Sequence, residues 1–464
     1  MSVIRCLDVA GTLTAADRQR RRVEEFTVPH GATRLRIEFS YRPGEFGGIR
    51  NLLTLALFGP RGFRGAAHRW SQNQEIVVDV ARATPGFLRG PITAGGWRVE
   101  LDAHEIVGDG SLTGSCTFNL LVEATDELAV AGRSQPARRA RRRPAAVVKP
   151  NDGWYRGDLH SHSTHCDGTS TIADMATAAA NAGLDFLATT GHNTISQWRD
   201  LEPWPPDLML IRGVECTTYF GHANVLGTSD WIDWRVESVE SGARSILAQA
   251  NRQGGFAVVN HPFAEANPRC TGCRWDYPAD ELEGFDAIEL WNGHWLSTDT
   301  DNAAALSLWT TLLMAGHRVA AVAGTDAHSA EEYQTEGLAY TWVYASALSE
   351  GAILGALRAG RCYLSRGPIL SFVAWDAQGR LASLPGDRLG AGPLAVSVEI
   401  AGLDRDAVVW LIADGVAMQS GRVSAAGGSV SLRSAAERWW RIEIREDDQS
   451  AELLAITNPI LQSA

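Results

Sequence analysis

Cysteine is scarce. Seven residues in 464, an odd and thinly spread set, exclude a disulfide scaffold and suit a reducing cytoplasm. Long apolar runs are missing as well: none reaches the ~18 residues that a membrane-spanning helix needs. The first residues, MSVIRCLDVAGTL, lack the basic stretch and long apolar run of a secretory signal. These absences give the expectation of a cytoplasmic protein without a membrane partner. A surplus of positive charge is also lacking. The 54 acidic and 42 basic residues leave a formal charge of −12, which argues against nucleic acid as a partner. What remains is ordinary for a globular chain, 45% apolar and 21% charged, with length for about three domains of roughly 150 residues each.

The pattern changes along the chain. Residues 1–131 read as a β-sandwich or jelly roll: apolar and polar residues alternate over 26–39, and 52–58, 76–80, 97–101 and 117–122 are further strands between Gly- and Pro-bearing turns. No catalytic residue types cluster there, so this segment is expected to cover apolar surface or shape a pocket mouth. Residues 132–152 form a linker whose run from Gly132 to Pro144 is basic and non-periodic, either a contact for an acidic surface or a solvated connector. From 153 to 366, helical stretches at 171–182, 243–253 and 302–315 alternate with short apolar strands at 185–190, 256–260 and 319–324, which predicts a mainly parallel sheet or barrel. Residues 367–464 return to strand-like alternation, at 394–400, 408–413 and 439–444.

The chemistry concentrates in the third segment, where the strands end in ionisable residues. Gly157-Asp-Leu-His160-Ser-His162 is followed by His165 and Asp167, then come Thr190-Gly-His192-Asn193, Gly213-Val-Glu215, Gly221-His222, Asn260-His261-Pro262 and Gly324-Thr-Asp326-Ala-His328. Residues i and i+2 of an extended strand project to one face, so His160 and His162 can reach one ion together. Imidazole nitrogens and carboxylate oxygens suit Zn, Mn or Fe. Burying so many ionisable groups at one rim would cost several kcal/mol without a cation to pair them.

These motifs resemble those of the PHP (polymerase and histidinol phosphatase) superfamily. The resemblance implies an α/β fold, a distorted (β/α)7 barrel here flanked by the N-terminal sandwich and a C-terminal β-rich domain, with two or three divalent metal ions. It also implies the ligand set His160, His162, Asp167, His192, Glu215, His222, His261, Asp326 and His328. By resemblance, His160, His162, Glu215 and Asp326 hold one ion. Glu215 bridges to a second, with His222 and His261, while Asp167, His192 and His328 hold a third. Glu289-Leu-Trp-Asn-Gly293, residues 356–368 and Leu454-Ala-Ile-Thr-Asn-Pro459 look like the carbaryl-hydrolase-like branch. Gly191 stands where many relatives carry an acidic residue, so an acidic group to orient His192 is missing. His165 reads either as a spare donor to substrate or as a solvent-facing loop residue.

The expected activity is metal-dependent hydrolysis of a small-molecule ester, of phosphoesterase type, by an activated water. His222 or His328 would aid proton transfer. A carbamate or carboxyl ester hydrolase with the same site is the alternative, and a non-catalytic metal-binding scaffold is the alternative of another class. Arg269 and Arg366 offer planar donors for a substrate anion, and His294 is a further substrate-binding candidate. Cys270-Thr-Gly-Cys273 reads as a loop-closing disulfide or as two spectator thiols, in a loop expected to overhang the site.

Overall fold

The computed structural model describes residues 2–107, 114–126, 147–199, 205–236, 238–240, 242–390, 392–446 and 452–463. The basic run 132–144 lies outside them. The N-terminal strands are β1 (Val3–Thr14), β2 (Arg20–Val28), β3 (Arg34–Arg42), β4 (Leu52–Gly59), β5 (Gly62–Ala67), β6 (Asn73–Asp79), β7 (Gly95–Glu105) and β8 (Ser115–Thr125). They form two four-stranded sheets, in the orders β1-β8-β3-β6 and β2-β7-β4-β5, with every pairing antiparallel. Alternate residues point inward. Leu35, Ile37 and Phe39 of one sheet and Leu53, Leu55, Leu57, Val99 and Leu101 of the other share one buried core. Strands β1 and β5 were not legible, because their alternation is broken by polar and glycine residues.

The next strands are β9 (Gly153–Asp158), β10 (Phe186–Thr189), β11 (Met209–Thr217), β12 (His222–Leu226), β13 (Phe256–Val259), β14 (Ala287–Asn292), β15 (Ala320–Gly324), β16 (Tyr340–Ala345) and β17 (Cys362–Ser365). Helices α1 (Ile172–Asn181), α2 (Gly242–Gln253), α3 (Asn302–Met314) and α4 (Glu350–Arg358) accompany them. The helix limits follow from local chemistry. Thr171 caps α1 by accepting from the Asp174 amide at 3.2 Å while Asp174 bonds back, a reciprocal capping box. Gly183, at φ +77°, ends it in a left-handed turn that a side chain would strain. Asp301 and Ser349 cap α3 and α4 in the same way.

A closed (β/α)7 barrel is not evident, which corrects the expectation. The chain is rich in β-structure with few helices, and the strands form an open path, β15-β14-β13-β12-β11-β10-β9-β16-β17, that continues into C-terminal strands. β12 runs antiparallel to both neighbours, which breaks the β/α repeat. The outer edge of β15 is bonded by side chains along the strand and, just past its end, by a lone parallel bridge between Ser161 and Ala327. Thr341 Oγ1 accepts from the Ala323 amide (2.8 Å) and donates to its carbonyl (2.9 Å). The Asn458 side chain does the same for Ala321, at 2.8 and 2.9 Å. These bonds satisfy edge groups that would otherwise be buried unpaired.

The C-terminal strands include β18 (Ile369–Asp376), β19 (Leu394–Ala401), β20 (Ala407–Ala413), β21 (Val416–Val423), β22 (Gly428–Ser434), β23 (Trp439–Glu446) and β24 (Leu453–Thr457). Strand β24 pairs with β17, so this segment is fused to the central sheet. Among the described residues no helix is long and apolar enough to cross a membrane.

Candidate metal centre

The strand order brings the ionisable residues to one rim. His160 and His162 follow β9, His192 follows β10, His261 follows β13, and Asp326 and His328 follow β15, all at strand C-terminal ends. Glu215 lies within β11. His222 opens β12 and reaches the same rim because the antiparallel register sets Thr217 opposite His222. The backbone is strained here. Asn193, His261 and Asp326 have φ of 53°, 24° and 57°, a region that costs a non-glycine residue of order 1–3 kcal/mol unless its surroundings hold it.

All nine expected ligands come together. Their donor atoms fall into overlapping groups, each able to hold a metal ion: His160, His162 and Asp326; His160, Glu215 and His261; His192, Glu215 and His222; and His162, Asp167, His192 and His328. His162 thus joins the expected third set, and His192 stands beside Glu215 as well as Asp167. Glu215 is central. Its Oε1 lies 3.3–3.4 Å from His160, His222 and His261 nitrogens, and its Oε2 lies 2.8 Å from His192 Nδ1. Asp167 Oδ1 is 3.4 Å from His192 Nε2 and 3.5 Å from His328 Nε2. Burial opposes charge on both carboxyls, yet the surrounding imidazoles, His192 foremost, hold them well below the usual carboxylate range.

Five of the six imidazoles are oriented through Nδ1. That of His160 donates to Glu289 Oε1 (3.0 Å), that of His261 to the Cys273 carbonyl (3.0 Å) and that of His328 to the Asp326 carbonyl (2.7 Å). His162 Nδ1 meets Cys166 Sγ at 3.4 Å and His192 Nδ1 meets Thr217 Oγ1 at 2.5 Å. Holding a ring by one nitrogen fixes its tautomer and presents the other to an ion. Six atoms at the centre, His160 Nε2, His162 Nε2, both nitrogens of His222, Asp167 Oδ1 and Glu215 Oε2, are buried and make no hydrogen bond. Orphaned buried polar atoms cost roughly 1–3 kcal/mol each. A divalent cation is the chemistry this donor set fits.

Several supporting residues were not singled out from the sequence. Glu289 also accepts from the His261 amide through Oε2 (2.9 Å), so one buried carboxylate steers two expected ligands. Asn260 Nδ2 donates to Glu215 Oε1 at 2.8 Å. His192 Nδ1 meets both the Thr217 hydroxyl and Glu215 Oε2, so an acidic partner is present although Gly191 supplies none. His165 is buried rather than solvent-facing, with Nδ1 2.6 Å from Ser196 Oγ. Cys270 and Cys273 form a disulfide. Its loop reaches the site through the Cys273 carbonyl, and its Thr271 hydroxyl donates to the His104 carbonyl at 3.0 Å. None of the three substrate candidates belongs to a ligand group. Arg269 is 74% exposed beside Glu265, Arg366 donates to Glu446 and Glu452, and His294 is exposed.

The N-terminal sheets reach the rim. His68 and His104 stand against His192 and Tyr219. The sheets are anchored by Gly86, whose amide donates to Ser196 Oγ (2.9 Å) and whose carbonyl accepts from Thr194 Oγ1 (2.6 Å). Arg69 Nη2 donates across the same seam to the Thr164 carbonyl (3.2 Å). Burial pushes His104 down to about 4, below its unfolded value of about 6.5. The folded state therefore takes up that proton less readily, and stability present above pH ~6.5 is lost as pH falls toward 4, by about 3 kcal/mol in full. In the metal-free full chain, the Tm advantage of wild type over His104→Gln should shrink between pH 7.5 and pH 5. A constant difference across that range would refute the assignment.

Comparison of the sequence with protein families finds no match, and neither does comparison with curated proteins. Among solved structures, similarity is found to a two-domain protein from Bacteroides vulgatus containing a predicted PHP-like metal-dependent phosphoesterase. The identity is 17%, with 67% of this chain and 96% of that one covered, at a TM-score of 0.40. A protein described as a metal-dependent phosphoesterase, from Bifidobacterium adolescentis, matches at 14% identity over 37% of this chain and 87% of its own, with a TM-score of 0.30. An amidohydrolase from Chromobacterium violaceum matches at 15% over the same shares, with a TM-score of 0.27. These scores are low, and the chemistry of the rim rests on its own residues.

Proposed function

We propose that this protein is a PHP-type metal-dependent hydrolase of small-molecule esters, acting in the cytoplasm, with phosphoesters as its substrates. The observation that carries the reading is the convergence of donor atoms from nine residues, six of those atoms, on five of the residues, buried without a hydrogen bond, and five of the six rings already oriented through Nδ1. A scaffold would have no use for so complete a set of costly polar burials. Divalent ions held by these residues supply Lewis acidity and lower the pKa of a bound water. The chain's own part is to hold, orient and move protons. His222 is the ring that no hydrogen bond ties, and His328, 37% exposed at its side chain, is the most open of the nine. Burial opposes charge on His328, while Asp167 and then Asp326 raise it to about 9 when no ion is bound. Glu289, in the segment that resembles the carbaryl-hydrolase-like branch, touches the same site, which keeps carbamate esters as the second reading.

Turnover of p-nitrophenyl phosphate, bis-p-nitrophenyl phosphate and naphthyl carbamate should be compared at matched Mn or Zn. Phosphoester hydrolysis that vanishes with chelator, returns with the divalent ion and resists serine- and thiol-directed reagents is the expected result. Turnover of the carbamate alone would overturn the substrate class. No turnover of any ester with ions bound would return the protein to a binding role.

A further inference from the structure

His68 and His104 enter the rim from a different layer than the nine. His68 follows β5 directly and lies against His192 with ring centroids 4.5 Å apart, while His104, near the end of β7, stands edge-on to His68 at 4.9 Å. The two are held differently. His104 Nε2 is 3.0 Å from Thr54 Oγ1, and its ring packs on Tyr219 at 5.3 Å, whose hydroxyl donates to Asp102 at 2.6 Å. His104 is therefore tied from behind through Nε2, its Nδ1 having no partner among the described residues, and serves as backing, whereas His68 is tied at neither nitrogen. His68 is 7% exposed, and its Nδ1 is buried without a partner. Neither of its nitrogens makes a hydrogen bond among the described residues.

A buried imidazole kept only for packing is ordinarily satisfied, as His165 is by Ser196. An untied one costs stability that an apolar side chain of similar size would not. Its position is also fixed. The Gly86 anchor leaves no slack, since a Cβ there would come within 2.5 Å of the Ala66 carbonyl and 3.0 Å of the His165 carbonyl. The chain thus holds an unpartnered donor and acceptor rigidly beside the Asp167, His192 and His328 group.

We propose that His68 is a substrate-contacting residue supplied by the N-terminal sheets, hydrogen-bonding an ester oxygen that the nine ligands do not hold. This rests on the hydrolase reading for its substrate, though not for the contact itself. The binding pocket is then composite: one wall is the rim of the central sheet and the other is His68 backed by His104.

The test uses the full chain with Mn or Zn bound, as wild type, His68→Ala and His68→Gln. For the aryl phosphate that wild type turns over, His68→Ala should raise KM about 10- to 100-fold, the range of one hydrogen bond to a charged group. Metal content by elemental analysis should be unchanged. His68→Gln, which keeps an amide near the Nε2 position, should recover part of the loss. Titration with inorganic phosphate gives a reading independent of turnover, with weaker binding in His68→Ala and partial recovery in His68→Gln. Weakened phosphate binding without any ester turnover would sink the hydrolase reading and keep the contact. Equal phosphate binding by all three proteins would overturn the contact. Loss of bound metal in step with the kinetic loss would overturn it too, because His68 would then act by supporting His192.

Discussion

Glu215→Ala should strip the protein of most of its bound divalent ions and abolish hydrolysis. The loss should exceed the roughly 10- to 100-fold that follows removal of a group one step behind an ion. Glu215 is fully buried and is the one carboxylate shared by two of the ligand groups. Without it, His160, His192, His222 and His261 lose the anion that faces them all, and the Asn260 amide loses its acceptor. Glu215→Gln keeps the volume but not the charge, and turns an amide donor toward the imidazoles. It should be nearly as damaging. Elemental analysis after dialysis against Mn or Zn, with turnover measured on the same samples, checks both variants. A Glu215→Ala protein with its full complement of metal and a rate within tenfold of wild type would refute the site as drawn.

Asp158→Ala should have the largest effect on stability. Asp158 sits just ahead of the His160 motif, with no exposed surface. Its Oδ1 accepts from the Thr325 and His160 amides at 2.9 and 3.1 Å. Its Oδ2 accepts from the Thr325 and Tyr333 hydroxyls at 2.5 and 2.6 Å. One carboxylate therefore joins the end of β9 to the segment leaving β15, and alanine would orphan four buried donors. At about 1–3 kcal/mol each before relaxation, a net loss of about 4 kcal/mol is expected, above the common range for single substitutions. For a cooperative unit of about 200 residues that is a fall in Tm of roughly 10 °C, and for the whole chain roughly 4 °C. Asp158→Asn retains an acceptor, and both hydroxyls can turn to accept from its amide, so it should recover more than half. A Tm change under 2 °C for Asp158→Ala would contradict the network.

The rim was legible because its residues come in short local motifs. A His-x-His after a strand, an Asn-His-Pro and an Asp-x-His each declare their chemistry within three residues. What supports the rim was not, because it depends on register. Glu289 meets His160 only because β14 pairs with β15 and the end of β15 bridges to the segment after β9 at Ser161 and Ala327. Thr217 meets His192 only because β10 and β11 run side by side. His68 and His104 are separated in sequence and carry no motif, and their approach to His192 follows from how the N-terminal sheets dock at Gly86 and Arg69. The barrel expectation fits only in part, for a similar reason. Helix and strand periodicity reveals neither that β12 reverses direction nor that Thr341, Asn458 and a lone Ser161–Ala327 bridge stand where a closing ladder would run. Helix α4 was not legible although Ser349 caps it, because Gly351 and Gly355 weaken its helical pattern.

The loop closed by Cys270 and Cys273 touches both layers within three residues: the Thr271 hydroxyl grips the His104 carbonyl, and the Cys273 carbonyl fixes the His261 ring. Two equilibria thereby share one linker, ion binding at the rim and seating of the N-terminal sheets. Such coupling is reciprocal by thermodynamic necessity. Whatever factor the ions add to the seating constant, the seated sheets add to the ion-binding constant, so a substitution at Thr271, which is not itself one of the nine, changes the affinity for metal by loosening a contact on its far side.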